Sequence, residues 1–158
     1  MRPSFCVRET SAADDAIMAD HFRKMWLDND IPENALVADW RSRTVAFLED
    51  GRRSQGAIGF VAECAGRAVG SLVAQRFGDL YPEVLTHAHR RYAYVWGVYV
   101  EPAMRRHGVA TTLMKTAVAA LRASNYSRVY LHATPMGRPV YEGIGFVASN
   151  EMRLELRA

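Results

Sequence analysis

Between residues 98 and 114 the chain reads VYVEPAMRRHGVATTLM, a β-branched and aromatic run that meets a proline, two arginines and a glycine before turning into an amphipathic helix. A strand that hands over to a helix in this way leaves the first N–H groups of the helix without intrahelical partners. Those groups, with the positive end of the helix dipole, make an anion site that needs no side chain. Gly108 and Ala110 matter for what they lack, since bulkier residues would hold an anion away from the main chain. Arg105 and Arg106 add mobile positive charge at the rim. The chemistry expected of the stretch from Arg105 through His107 and Val109 to Thr111 is a grip on phosphate oxygens.

The spacing excludes two neighbouring phosphate motifs. A Walker A loop places a lysine and a hydroxyl residue directly after its last glycine, and here Val109 follows Gly108. A dinucleotide fingerprint needs three glycines in a parallel βαβ setting, which the hairpin pattern upstream argues against.

The elements that must position this turn follow from periodicity. FCVRET (5–10) predicts a first strand, and Ser11 caps a helix on which Met18, Phe22, Met25 and Trp26 recur at helical spacing. From Glu33, Leu36, Val37, Trp40, Phe47 and Leu48 predict a second helix that stops near EDGRRSQG (49–56). Residues 57–77 hold two strand-like runs joined at Ala65, Gly66 and Arg67, which is hairpin chemistry. A loop follows, then YAYVWGVYV (92–100), the most strand-like segment, with Gly97 marking a bulge or a close backbone approach. After the helix that begins at Gly108, RVYLHA (128–133) predicts a further strand. GRPVYEGIG (137–145) predicts a short helix with Pro139 in its first turn, and FVASNEMRLEL one or two closing strands.

With these residues in place, the sequence resembles the GCN5-related N-acetyltransferases, the GNAT superfamily. Their pyrophosphate signature is Arg/Gln-x-x-Gly-x-Gly/Ala after a strand. Here the strand ends in Val98-Tyr99-Val100-Glu101-Pro102, and Arg105-x-x-Gly108-x-Ala110 follows two residues later. The likeness extends upstream to AECAGRAVGSLVAQRF, downstream to LHATPMGRPVYEGIGF, and in element order over nearly the whole chain. It implies an α/β (α+β) fold: a mixed, mostly antiparallel sheet of six to seven strands with about four helices, splayed between the fourth and fifth strands. Residues 1–158 would form a single acetyltransferase domain.

The resemblance also implies roles. The main chain of Val98 and Val100, with Tyr99 between them, would align pantetheine along a splayed strand edge. Tyr141 would protonate the departing thiolate; a buried tyrosine completing a core contact is the alternative. Thr134 stands where the family often has an asparagine that binds pantetheine, and a hydroxyl lacks the paired donor and acceptor of an amide. Arg138 adds a further cofactor contact. The cosubstrate expected is acetyl-CoA, with no metal, and the reaction is acetyl transfer to an amine by direct attack on the thioester.

An alkylammonium is only about one part in a thousand uncharged near neutrality, so transfer needs a route for proton loss. Some relatives use a glutamate on the strand that carries the cofactor edge, where this chain has Tyr92, Ala93 and Tyr94. Glu83, His87, His89, His132 or a water chain remain as candidate bases. Phe22, Met25 and Trp26 could line an acceptor cleft or simply pack in the core, and Glu151 could meet a cationic acceptor or lie on a solvated edge.

Composition bounds the rest. A chain of 158 residues, 49% hydrophobic and 23% charged, can bury one core without staples. A formal charge of +3 without a basic run gives no nucleic-acid footprint. Cys6 and Cys64 form no metal or disulfide pattern, and no apolar run reaches membrane length, so a cytoplasmic location is expected. The acceptor expected is a small-molecule amine; a protein N-terminal or lysine acetyltransferase and a non-catalytic acyl-CoA-binding or sensing module are the alternatives. A homodimer is suggested by analogy only.

Overall fold

The computed structural model describes residues 3–78 and 80–156. Its strands are β1 (Cys6–Glu9), β2 (Ile58–Cys64), β3 (Arg67–Arg76), β4 (Tyr92–Val100) and β5 (Arg128–Tyr130). Its helices are α1 (Asp15–Asp28), α2 (Trp40–Ser54), α3 (Val109–Ala123) and α4 (Arg138–Glu142). The strands form one sheet in the order β1-β2-β3-β4-β5, antiparallel except for the parallel β4–β5 pair. A parallel pair needs a crossover connection, and α3 supplies it.

Local chemistry explains the elements. Ser11 and Asp14 form a reciprocal capping box on the 3-10 turn that leads into α1. Ala65 and Gly66 both take positive φ (49° and 73°), the two-residue turn whose twist suits a hairpin, and Cys64 pairs with Arg67 across it. α3 buries Val109, Leu113, Met114, Ala117 and Leu121 against Leu72, Ala74, Ala93 and Val95 on one face of the sheet. On the other face, Met18 of α1 and Leu48 of α2 pack with Val73 and Trp96. Gly70 permits the first turn of α3 to lie close: a Cβ there would stand 2.9 Å from the Tyr99 carbonyl oxygen and 3.2 Å from Val109 Cγ1.

Two irregularities of β4 prepare the site. At Gly97 (φ 65°) the strand carries one residue more than β3 opposite it, since Val73 pairs with Trp96 and Ser71 with Tyr99. The extra residue exchanges the faces of the strand, so Tyr99 meets His21 of α1 while Val98 and Val100 pack towards the α3 side. On the opposite edge, β4 pairs with β5 only from Tyr92 to Tyr94. Beyond Tyr94 the two strands part, which is the expected splay.

Several expectations are corrected. The described residues hold five strands, not six or seven, because residues 146–156 form no strand. A strand needs a partner edge for its main chain, whereas here Met152, Leu154 and Leu156 stand in solvent. β5 ends at Tyr130, three residues before its predicted end. The second helix starts at Trp40; Glu33–Ala35 is a 3-10 turn that Leu36 ends in extended backbone (ψ 136°).

Candidate active site

A cavity of about 1320 Å3 runs from the first turn of α3, past the open edge of β4, to the facing sides of α1 and α2. Its end at the first turn of α3 is built by backbone. Gly108 caps α3 in the left-handed region (φ 85°), and Thr112 N–H is the first to return to it, donating to the Gly108 carbonyl at 2.9 Å. The N–H groups of Val109, Ala110 and Thr111 therefore precede the helical ladder, and all three residues line the cavity. Nothing lies within 4 Å of the place a Gly108 Cβ would take. The glycine keeps the approach open and spares the turn the strain of a left-handed side chain.

The two arginines differ. Arg105 donates from Nε to the Val100 carbonyl at 2.9 Å, pairs with Asp28 of α1, and lies 5.9 Å over the Tyr99 ring. It is a clamp that ties the turn to β4 and α1, which corrects the expectation of mobile charge. Arg106 is exposed, lines the cavity and takes a left-handed φ of 64°. His107 turns its Nδ1 to the Arg105 carbonyl at 2.7 Å and does not line the cavity.

Along β4, Glu101 N–H donates to the Val69 carbonyl, so the main-chain groups of Val100 and, two residues back, Val98 point to the edge that β5 has left. The Val100 carbonyl is already taken by Arg105. Tyr99 lines the cavity, while its hydroxyl bonds Glu101 at 3.2 Å on the α1 side.

Tyr141 of α4 stands at the splay, 9% exposed. Burial first, and then the neighbouring Tyr94, push its phenol above the ordinary tyrosine range, so the proton stays on near neutrality. Gly137 makes room for it: a Cβ there would come within 2.9 Å of Tyr141 Cε2 and 3.2 Å of its hydroxyl. Thr134 lines the cavity and holds α4 in place, accepting from Gly137 N–H at its hydroxyl (3.2 Å) and from Arg138 N–H at its carbonyl (2.9 Å). Arg138 itself lies outside the cavity, 3.6 Å from Glu142.

Of the candidate bases, only His132 lines this cavity. Glu83 pairs with Arg76, and with His87 it borders a separate, smaller cavity; His89 lines neither. His132 meets the Tyr94 hydroxyl through Nδ1 and the Glu151 carboxylate, at 2.7 Å, through Nε2.

The far end is aromatic. Phe22 and Trp26 from α1, Phe47 from α2 and Trp96 from β4 meet edge to face, with ring centres 5.2–5.9 Å apart. Trp26 is 40% and Phe47 53% exposed, apolar area left open inside a cleft. Met25 lines it too. Among the described lining residues Asp28 is the one carboxylate, and Arg105 occupies it.

A model of the acetyltransferase (GNAT) family matches residues 16–146. The chain belongs to the GNAT family. Similar folds confirm the architecture. A predicted acetyltransferase from Clostridium acetobutylicum, solved with acetyl-CoA, is 21% identical, with 98% of this chain and 96% of that one covered and a TM-score of 0.82. A GCN5-related N-acetyltransferase from Ralstonia eutropha JMP134 is 24% identical over 97% and 99% of the two chains (TM-score 0.80). An aminoglycoside N-acetyltransferase in complex with CoA is 14% identical over 98% and 95% (TM-score 0.74). Comparison with curated protein sequences gave no match.

Within this GNAT frame, the turn before α3, the β4 edge, Tyr141 and Thr134, all singled out in the sequence, line one cavity, whereas His107 and Arg138 do not. Sequence reasoning missed Phe47 and Trp96 as cleft residues, and it treated Tyr94 only as the absence of a carboxylate. The alternation of Tyr94 and Trp96 along β4 was the available signal, because it places both on one face. Among the described residues, no cluster of three His, Cys, Asp or Glu side chains is set to hold a metal, and no helix is long and apolar enough to cross a membrane.

Proposed function

We propose that this GNAT chain is an acetyl-CoA-dependent N-acetyltransferase that acts on a small-molecule primary amine with an apolar or aromatic body. One observation carries the proposal: a single cavity joins a phosphate-binding helix start, an open strand edge, a protonated tyrosine and an aromatic wall.

The fit to acetyl-CoA rests on chain geometry. The Val109, Ala110 and Thr111 amides would hold the pyrophosphate, with the space above Gly108 left clear. The Val98 main chain and the Val100 N–H would align the pantetheine amides at the open edge. Thr134 and Tyr141 would stand beside the thioester. Such alignment removes several kcal/mol of barrier by converting a bimolecular encounter into a held pair. The Tyr141 hydroxyl then gives its proton to the thiolate as it departs.

The acceptor class follows from the far end. An aminoglycoside or a polyamine carries several cations and needs several free carboxylates, whereas the one carboxylate among the described residues lining this cleft is engaged by Arg105. Four edge-to-face rings favour a flat or branched apolar group instead.

The test is Tyr141→Phe, assayed by thiol release from acetyl-CoA over amines of graded size and polarity, with 2-phenylethylamine, spermidine, kanamycin and a short peptide among them. Turnover on the best amine is expected to fall roughly 10²-fold, with acetyl-CoA affinity by calorimetry nearly unchanged. Wild-type turnover in the variant, measured where chemistry limits the rate, would remove Tyr141 from its role.

A further inference from the structure

The strands whose parting opens the cavity each bring a titratable group to the point of divergence. Tyr94 is the last β4 residue paired with β5, and His132 lies two residues past the end of β5. Glu151 reaches the same place from the C-terminal segment. The Tyr94 hydroxyl contacts His132 Nδ1, and both Glu151 carboxylate oxygens lie 2.7 Å from His132 Nε2. An ionised carboxylate only accepts, so the hydrogen of a neutral imidazole sits on Nε2 and Nδ1 keeps a lone pair. That lone pair accepts the Tyr94 O–H, which leaves the hydroxyl's own lone pairs for a group in the cavity. Tyr94 and Tyr141 both line that cavity and are close enough for Tyr94 to act on the Tyr141 phenol.

We infer that Tyr94 is a catalytic residue that receives the proton of the acceptor nitrogen while passing its own to His132, with Glu151 as the positioning residue that fixes the imidazole. The inference rests on the direct N-acetyl transfer proposed above. The atoms balance as follows. The nitrogen–carbon bond forms as the amine attacks the thioester carbonyl, and the carbon–sulfur bond breaks. The N–H proton moves to Tyr94 Oη as the Tyr94 proton moves to His132 Nδ1, and the Tyr141 proton goes to the sulfur. His132 then carries one proton more and Tyr141 one fewer than at the start, and exchange with water restores both. An acceptor that arrives as an ammonium first loses a proton by the same route, because the His132 and Glu151 side chains are each 65% exposed and open to bulk solvent.

The groups facing this chain are Glu151 from the C-terminal segment, Tyr94 itself on β4 and Tyr141 from α4. Both Glu151 carboxylate oxygens face the one Nε2 hydrogen. They set the tautomer that the relay requires, which is the use of such a pairing in catalytic histidines generally.

The experiment uses the full chain, the amine panel above and the variants Tyr94→Phe, His132→Gln and Glu151→Gln. On the best amine, turnover is expected to fall roughly 10²-fold in the first two and at least about tenfold in the third, with acetyl-CoA affinity by calorimetry unchanged. The pH–rate profile of the wild type is expected to lose one limb in His132→Gln, because the base that must be neutral is gone. The double variant His132→Gln/Glu151→Gln is expected to cost no more than His132→Gln alone, as for groups that act as one unit. Independently of any acceptor, 15N NMR of the imidazole is expected to show hydrogen on Nε2 in the wild type and a mixed tautomer in Glu151→Gln. An active wild type whose three variants keep its rate and pH profile overturns the relay alone. Acetyl-CoA uptake without thiol release for any amine overturns the transfer reaction, and the relay with it.

Discussion

Gly137 illustrates how one residue sets the place of another, here Tyr141, the proton donor proposed above. Its φ of −81° suits any side chain, so the conformational freedom of glycine is not the reason for it. The reason is space: the missing Cβ lies 2.9–3.3 Å from three atoms of the Tyr141 ring and hydroxyl. Gly137→Ala must therefore move the Tyr141 ring, which is packed against Phe146 at 6.0 Å between centres. Turnover is expected to drop about tenfold or more, as misplacement near 1 Å costs up to about 10²-fold, while the denaturation midpoint changes little. The check is turnover measured beside chemical denaturation on the same preparation. Tyr141 itself was legible from PVYEGIGF in the sequence; the dependence on Gly137 was not, because it is a contact across one turn of α4 and not a property of either residue.

At the scale of elements, the start of α1 is held by charge. Asp14 accepts from Ser11 N–H at 2.8 Å and from both terminal nitrogens of Arg8, at 3.0 and 2.8 Å, and Arg8 also reaches Glu63 of β2. The Arg8 guanidinium, against the opposing effect of burial and with the help of the Ser11 amide, lowers the Asp14 carboxyl to about 2. A carboxyl so lowered contributes its stability above the unfolded value near 3.8 and loses it as pH falls through about 2. Asp14→Ala is expected to cost about 1 kcal/mol at pH 7, and the gap to the wild type should narrow as pH falls from 4 to 2. Denaturant titrations at three pH values check this. The cap was readable from Ser11 and its acidic neighbours, since capping is local. The link to Arg8 and Glu63 joins residues 55 apart and exists only once β1 has paired with β2.

Across the whole molecule, α1 fastens the sheet to the turn before α3 through three side chains. His21 meets Ser71 of β3 at 2.9 Å, Lys24 meets Glu101 at the end of β4 at 2.7 Å, and Asp28 pairs with Arg105. His21 is fully buried, and its Nε2 has no hydrogen-bond partner, with Glu101 3.7 Å away. Burial pushes its pKa below the ordinary 6.5, outweighing the opposite pull of Glu101. The neutral ring is therefore the folded form, and its contribution is complete above 6.5 and lost as pH falls towards the lowered value. Stability is expected to decline between pH 7 and 5, and acetyl-CoA affinity with it as α1 loosens from Arg105. His21→Phe is expected to flatten that slope, followed by thermal unfolding and calorimetry at pH 5, 6 and 7.

The sequence alone determined those features whose cause is local or carried by a short spacing. These are the hairpin at Ala65–Gly66, the Gly97 irregularity, the Ser11 cap, the glycine turn at Gly108 that opens α3 and the membership that these motifs together signal. Each depends on backbone preferences or on missing side chains within a few residues, which a linear pattern records. Only the tertiary structure decided that Arg105 is a clamp, that Phe47 and Trp96 complete an aromatic wall, and that His132, of the four candidate bases, lines the cavity and meets Tyr94 and Glu151. Those pairings span 19 to 77 residues of chain, and their geometry is set by the bulge that exchanges the faces of β4 and by the parting of β4 from β5. Neither effect is written in the identity of the residues that it brings together.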